Sequence, residues 1–323
     1  MSAQHVVIRF TALCTLLAGA VQAQTPGARQ TYPARSVQVI VGFPAGGSVD
    51  VMARHLIASL NSQLGQQFVV VNRDGASGTI GFAAVANAKP DGYLIGAGPT
   101  TPISNAPHLM KGIPYTVDSF EYVCQAFENV FALAVQAESP YRSLQELIAA
   151  ARASPGKLSY GHSGVGTVPH FAIANFAQRA NIDVTPVAYR GEAPLLPDLL
   201  AGRLDFSGTA IASMVGRNIR PLVVFADQRH PAFADVPTSA ELGIASLAPG
   251  LNGLFAPKGT PNDILQTLER ACETATKSET YRSAARTLHQ SVVFLNRAAF
   301  AKRTAEDYRV KAELVKKLKI SAE

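Results

Sequence analysis

Short apolar runs alternate with helical patterns along nearly the whole chain. Residues 37–43 are an apolar run of strand length, followed by Pro44-Ala45-Gly46-Gly47. Met52, Leu56, Leu60 and Leu64 then recur at four-residue steps, which puts them on one face of a helix over 48–64. A strand at 68–72, a Gly75-Ala76-Ser77-Gly78 turn, a helix through Ala88, the turn Pro90-Asp91-Gly92 and a strand at 93–97 complete a βαβαβ pattern. Strands that alternate with helices in this way pair in parallel through right-handed crossovers, so the expected fold class is α/β.

The pattern restarts at 130–136. Ser143 and Glu146 have capping-box spacing, and a strand at 158–161 runs into Ser163-Gly164-Val165-Gly166-Thr167 and a helix over 169–180. Strand 184–189, helix 192–201, a short strand at 205–207 and strand 221–226 follow, which implies a second α/β domain. Thr238 and Glu241 repeat the capping-box spacing, 253–256 is a strand, and Thr260-Pro261 opens a helix running to Lys277. A helix over 296–318 closes the chain, its Lys and Arg residues expected on a solvated face.

Composition narrows the class. The chain has 323 residues, 47% hydrophobic and 16% charged, which excludes an intrinsically disordered protein. Its net charge of +6 comes from 29 Lys and Arg residues scattered without a basic arm, so no nucleic-acid partner is expected. A mildly positive surface suits small anions instead. Arg9 precedes a short apolar run that ends in Val21-Gln22-Ala23, a secretory signal peptide over 1–23 with cleavage near Ala23. No later run approaches the ~20 residues of a membrane-spanning helix. The expected product is an exported, periplasmic protein. Cleavage removes Cys14 and leaves Cys124 and Cys272, for which the compartment permits a disulfide; with no spacing pattern to pair them, two buried thiols are expected.

Two glycine-containing loops join a strand to a helix, 43–48 and 163–167. Open α/β sheets bind ligands at such loops, because unpaired N–H groups sit at the positive end of the helix and glycine lets a ligand approach the backbone. An ordinary tight turn explains each loop equally well. Gly161-His162-Ser163-Gly164-Val165 nearly matches a nucleophile elbow, but Val165 replaces the final glycine. There is no phosphate-binding loop or dinucleotide fingerprint, and the seven histidines lack metal-ligand spacing. Hence no catalytic residue, cofactor or metal is expected. His162 and His170 bracket the second loop, within reach of a ligand or as helix caps.

The loops and their order resemble a known family. Tyr32-Pro33-Ala34-Arg35-Ser36-Val37 leading into Phe43-Pro44-Ala45-Gly46-Gly47-Ser48-Val49-Asp50 is similar to the opening of the Bug receptors, the extracytoplasmic solute-binding proteins of tripartite tricarboxylate transporters. Asn72-Arg73-Asp74-Gly75-Ala76-Ser77-Gly78, Lys89-Pro90-Asp91-Gly92-Tyr93, Pro155-Gly156-Lys157-Leu158, Asp235-Val236-Pro237-Thr238 and Ala256-Pro257-Lys258-Gly259-Thr260-Pro261 continue the similarity in the family's order.

The resemblance implies a two-lobed type II periplasmic-binding-protein fold with the ligand cleft between lobes. Lobe one would comprise 31–128 plus 250–323 and lobe two 129–249, with the hinge at strands near 131–135 and 253–256. It implies a monomer that binds a small carboxylate and presents it to membrane permease subunits or a sensor. The ligand-binding residues implied in lobe one are Phe43, Pro44, Ala45, Gly46, Gly47, Ser48, Ser77, Thr100 and Thr101. Those in lobe two are Ser163, Gly164, Gly166, Thr167, His170, Tyr189, Arg190, Gly191 and Thr209. Thr209 stands where the family commonly has an aspartate. A missing carboxylate takes away a partner for a ligand ammonium, which favours a simple or aromatic acid over an amino acid. Arg190 stands where Lys is frequent and could hold a second carboxylate bidentately or simply face solvent. The alternative from another class is a secreted serine esterase with Ser163 as nucleophile.

Overall fold

The structure is a computed structural model and describes residues 31–244 and 249–320; the predicted signal peptide and its cleavage point lie outside the described residues. In chain order the elements are β1 (Val37–Val41), α1 (Ser48–Leu64), β2 (Phe68–Asn72), α2 (Thr79–Ala86), β3 (Leu94–Pro99), α3 (Thr101–Ser104) and β4 (Phe120–Asn129). Then come β5 (Phe131–Gln136), α4 (Leu144–Ala153), β6 (Ser159–His162), α5 (Val168–Ala180), β7 (Thr185–Ala188), α6 (Glu192–Leu200), β8 (Phe206–Ala210) and β9 (Ile219–Val224). The chain finishes with β10 (Gly250–Pro257), α7 (Asn262–Lys277), α8 (Glu279–Thr287), β11 (Ser291–Leu295) and α9 (Arg297–Leu318).

These build two sheets, in the orders β11-β4-β10-β3-β1-β2 and β7-β6-β8-β5-β9. The predicted βαβαβ opening is the parallel set β2-β1-β3. Both sheets are covered on both faces, and side-chain alternation divides each strand between two cores. In β1, Val37, Val39 and Val41 pack with Met52, Leu56 and Leu60 of α1 and Leu265 and Leu268 of α7, whereas Ile40 packs on the opposite face with Phe82 of α2 and Phe300 of α9. In β5, Leu133 and Val135 face α4 and α5, while Ala132 and Ala134 face Leu195, Leu196 and Leu199 of α6.

The chain passes from the first sheet to the second at Asn129–Phe131, and β10 re-enters the first sheet at Gly250. Gly250 pairs with Asn129, so the two crossing points lie side by side. Asn129 ends β4 and Gly250 begins β10.

The sequence pattern gave no element for β4, β11 or α8. β4 is interrupted by register shifts against β10 at Asn252/Gly253 and Leu254/Phe255, and a bulge destroys the period-two alternation by which a strand is recognised. Two other expectations are corrected. Cys124 of β4 and Cys272 of α7 form a disulfide, with Cα atoms 6.6 Å apart and the two residues 148 positions apart in sequence. A pairing over that distance leaves no local spacing, and the bridge closes a loop that contains the entire second sheet. The cationic residues of α9 also do not all face solvent. Lys311 is buried, with its Nζ 3.4 Å from Asp307, itself buried and accepting from Ser104 Oγ.

Candidate functional site

Three helix starts converge on one cavity. The N-caps of α1, α5 and α6 are Gly47, Thr167 and Gly191, and none caps its helix with a side chain. Thr167 has a hydroxyl suited to the task, but its Oγ1 donates to Gly164 O at 2.7 Å instead. The first-turn N–H groups of α1 and α5 are therefore left to other partners at the positive helix ends. Between them lies a cavity of about 40 Å³, room for a few waters. Phe43, Pro44, Val49, Pro99, Phe131, Val168 and Pro169 make its apolar walls, and Ser48, Thr101, Asn129, Ser163, Thr167 and Glu192 its polar groups.

The loops that present these groups are fixed from behind. Asp50, in the first turn of α1, accepts from Gly46 N–H, Arg54 Nε and Asn72 Nδ2. Burial pulls its carboxyl upward, but these hydrogen bonds outweigh burial and hold it below the usual carboxylate range. In the second loop, Gly166 N–H donates to His170 Nδ1 at 3.0 Å, and the His162 ring stacks on His170 at 4.1 Å. Burial lowers both imidazoles, His162 to about 4 and His170 to about 3, so both are neutral at pH 7.

Loops belonging to the two sheets touch here. Ser77 Oγ donates to Val165 O at 2.7 Å and Asn105 Nδ2 to Gly166 O at 2.7 Å. Gly191, at φ +129°, lies so close to Pro44 that a Cβ there would sit 2.6 Å from the proline ring; only glycine permits both the backbone angle and the approach. Ser48 Oγ donates to Glu192 Oε2 at 2.7 Å and accepts from Asn129 Nδ2 at 3.3 Å. Glu192 also accepts from Ser213 Oγ and Ala210 N–H.

Of the residues expected to bind ligand, the cavity brings together Phe43, Pro44, Gly47, Ser48, Thr101, Ser163 and Thr167. Ala45 and Gly46 are exposed outside it. Ser77, Gly164, Gly166, His170 and Gly191 lie behind the lining, where they shape or join the loops. Thr100 holds β10 through its N–H to Leu251 O. The Tyr189 hydroxyl donates to Asp198, Arg190 is exposed, and Thr209 is wholly buried against Ser207. Sequence reasoning missed the polar Asn129 and Glu192 of the lining, together with Gly250 and the apolar Val49, Pro99, Phe131, Val168 and Pro169. An acid in the first turn of a helix is so common as a dipole partner that Glu192 carries no distinguishing signal.

The family model described as the tripartite tricarboxylate transporter family receptor matches residues 52–320. The chain belongs to this receptor family. It is 34% identical to protein BugT of Bordetella pertussis over 261 residues, covering 79% of this chain and 80% of BugT. Among solved structures it is similar to Rpa4515 of R. palustris with adipate, at TM-score 0.85 and 28% identity over 90% of this chain and 99% of that one. It is similar also to MatC from Rhodopseudomonas palustris with bound malate, at TM-score 0.82 and 27% identity over 88% of this chain and all of that one. The receptor therefore has the two-lobed type II periplasmic-binding-protein fold that the sequence resemblance implied.

The family consists of solute-binding receptors. His162 turns Nδ1 onto the Gly164 backbone and His170 turns Nδ1 onto Gly166, and among the described residues no hydrogen bond joins Ser163 to either ring. No described helix is long and apolar enough to cross a membrane.

Proposed function

We propose that this receptor captures a small carboxylated solute in the periplasm and delivers it to the membrane subunits of a tripartite tricarboxylate-type transporter. The convergence of three helix starts without side-chain caps on one cavity carries this reading. Each dipole contributes only about 0.3–1 kcal/mol, so selective capture needs direct hydrogen bonds as well, and Ser48, Thr101, Ser163 and Thr167 supply hydroxyls beside the helix ends. The malate and adipate bound by its structural relatives support the same class of solute. We take lobe one as 31–128 with 250–323 and lobe two as 129–249, joined by paired crossings at Asn129 and Gly250. Bending there opens the cleft, and the solute favours the closed form because only there does it touch both loops.

A thermal-shift and calorimetric screen of mono-, di- and tricarboxylates, aromatic acids and neutral sugars tests the reading. A binding acid at 100 times its dissociation constant adds about 2.7 kcal/mol of stability. Stabilisation by an acid is the expected result. Stabilisation by a neutral solute with none from any acid would overturn it.

A further inference from the structure

Within the reading above, on which this inference rests, the cavity wall says more about the solute. Among the described residues, Glu192 is the only formally charged side chain lining the cavity; no Lys, Arg or His faces it. Arg190, the nearest cation in sequence, is exposed. Glu192 is itself 7% exposed. Its two oxygens offer about four acceptor directions, of which Ser48, Ser213 and Ala210 use three.

Asn129 lies beside it in the lining and is 2% exposed. The orientation of its amide follows from the network. Ser48 has one hydroxyl proton and donates it to Glu192, so toward Asn129 it can only accept, and the amide must turn its Nδ2 to Ser48. Among the described residues, Asn129 Oδ1 is thereby left buried without a partner. A buried acceptor in that state calls for a donor.

The cavity wall thus presents a carboxylate and an unpartnered carbonyl oxygen, both joined through Ser48 to the start of α1, together with the start of α5. We infer that the solute is a zwitterion, an amino acid or related ammonium-bearing acid. Its carboxylate meets the helix starts, and its ammonium donates to Glu192 and Asn129 Oδ1. A plain dicarboxylate would set negative charge against Glu192 and leave Asn129 Oδ1 unpaired. This reverses the expectation drawn from Thr209. The carboxylate absent at that position is supplied from the first turn of α6, and Thr209 is occupied with Ser207 behind the cavity.

The test compares acids matched in length, by calorimetry on the full mature chain: L-aspartate, L-malate and succinate; L-glutamate and glutarate; 4-aminobutyrate and butyrate. The wild-type protein should bind at least one ammonium-bearing member about tenfold or more tighter than its partner lacking nitrogen, with the hydroxy acid between. In Glu192→Gln, whose fold is checked by circular dichroism, the gap should shrink to about threefold or less as the dicarboxylate gains affinity. Equal or tighter binding of the plain acids by the wild type overturns the inference while leaving carboxylate capture intact. An ammonium preference unchanged in Glu192→Gln also overturns it. If no acid of either kind binds, carboxylate capture itself fails. The wild-type comparison decides the matter even if the variant does not fold.

Discussion

The Ser48 hydroxyl donates to the Glu192 carboxylate at 2.7 Å across 144 positions of sequence. The bond joins the first residue of α1, in one lobe, to the first residue of α6, in the other, at the wall of the cavity. Because the same hydroxyl accepts from Asn129, it also orders a part of the wall that combines charge with an acceptor unpaired among the described residues. Replacing it should therefore affect binding more than folding.

Ser48→Ala removes a charge-assisted bond worth about 1.5–3 kcal/mol and leaves Glu192 and Asn129 Nδ2 each short of a partner. Calorimetry with the tightest acid from the screen should record a dissociation constant raised about tenfold or more. An unchanged constant would remove Ser48 from the site.

Ser77 acts differently, because it bonds to Val165 O without lining the cavity. Its bond exists only while the lobes are together. Ser77→Ala should lower the closed population by the worth of one neutral hydrogen bond, about 0.5–1.5 kcal/mol, and weaken all ligands by the same factor of about 2 to 10. A change in the ranking of ligands would contradict that role.

The Cys124–Cys272 bridge should matter for stability and little for ligand choice, since it lies in the core of the first lobe. Closing so long a loop restricts the unfolded chain, and loss of the bridge typically costs about 2–5 kcal/mol. Denaturant melts with and without reductant measure it. Identical midpoints would show that the bridge adds nothing.

His162 and His170 give the protein an acid-sensitive element. Burial sets their pKa values at about 4 and about 3, below the ordinary histidine value. The unfolded chain consequently binds protons first as pH falls. Their contribution to stability is full above about pH 6.5 and declines as the pH drops toward the folded values. Thermal melts from pH 7 to 4 should show a steeper fall for the wild type than for His170→Asn, whose amide oxygen can still accept from Gly166 N–H. Parallel curves would contradict this.

Much of the fold is legible in the sequence because hydrophobic periodicity survives where strands and helices are regular. β1, α1, β2 and β3 fall close to their expected bounds, as do β6, α5 and α7. Legibility fails where structure depends on distant partners. β4 is bulged against β10, the disulfide joins cysteines 148 positions apart, and Lys311 is buried by helices that only the tertiary fold brings to it. The site divides the same way. Ser48, Ser163 and Thr167 are found because strand-to-helix loops with glycine announce themselves. Asn129 and Glu192 line the cavity only when the crossing point and α6 are brought against α1.

A crystal structure of the receptor with the tightest acid found by the screen tests the account most directly. The solute carboxylate should lie between the lobes, within hydrogen-bonding distance of backbone N–H groups at the starts of α1 and α5 and of Ser48 or Thr167. A ligand bound elsewhere, or a carboxylate turned away from both helix starts, would contradict it.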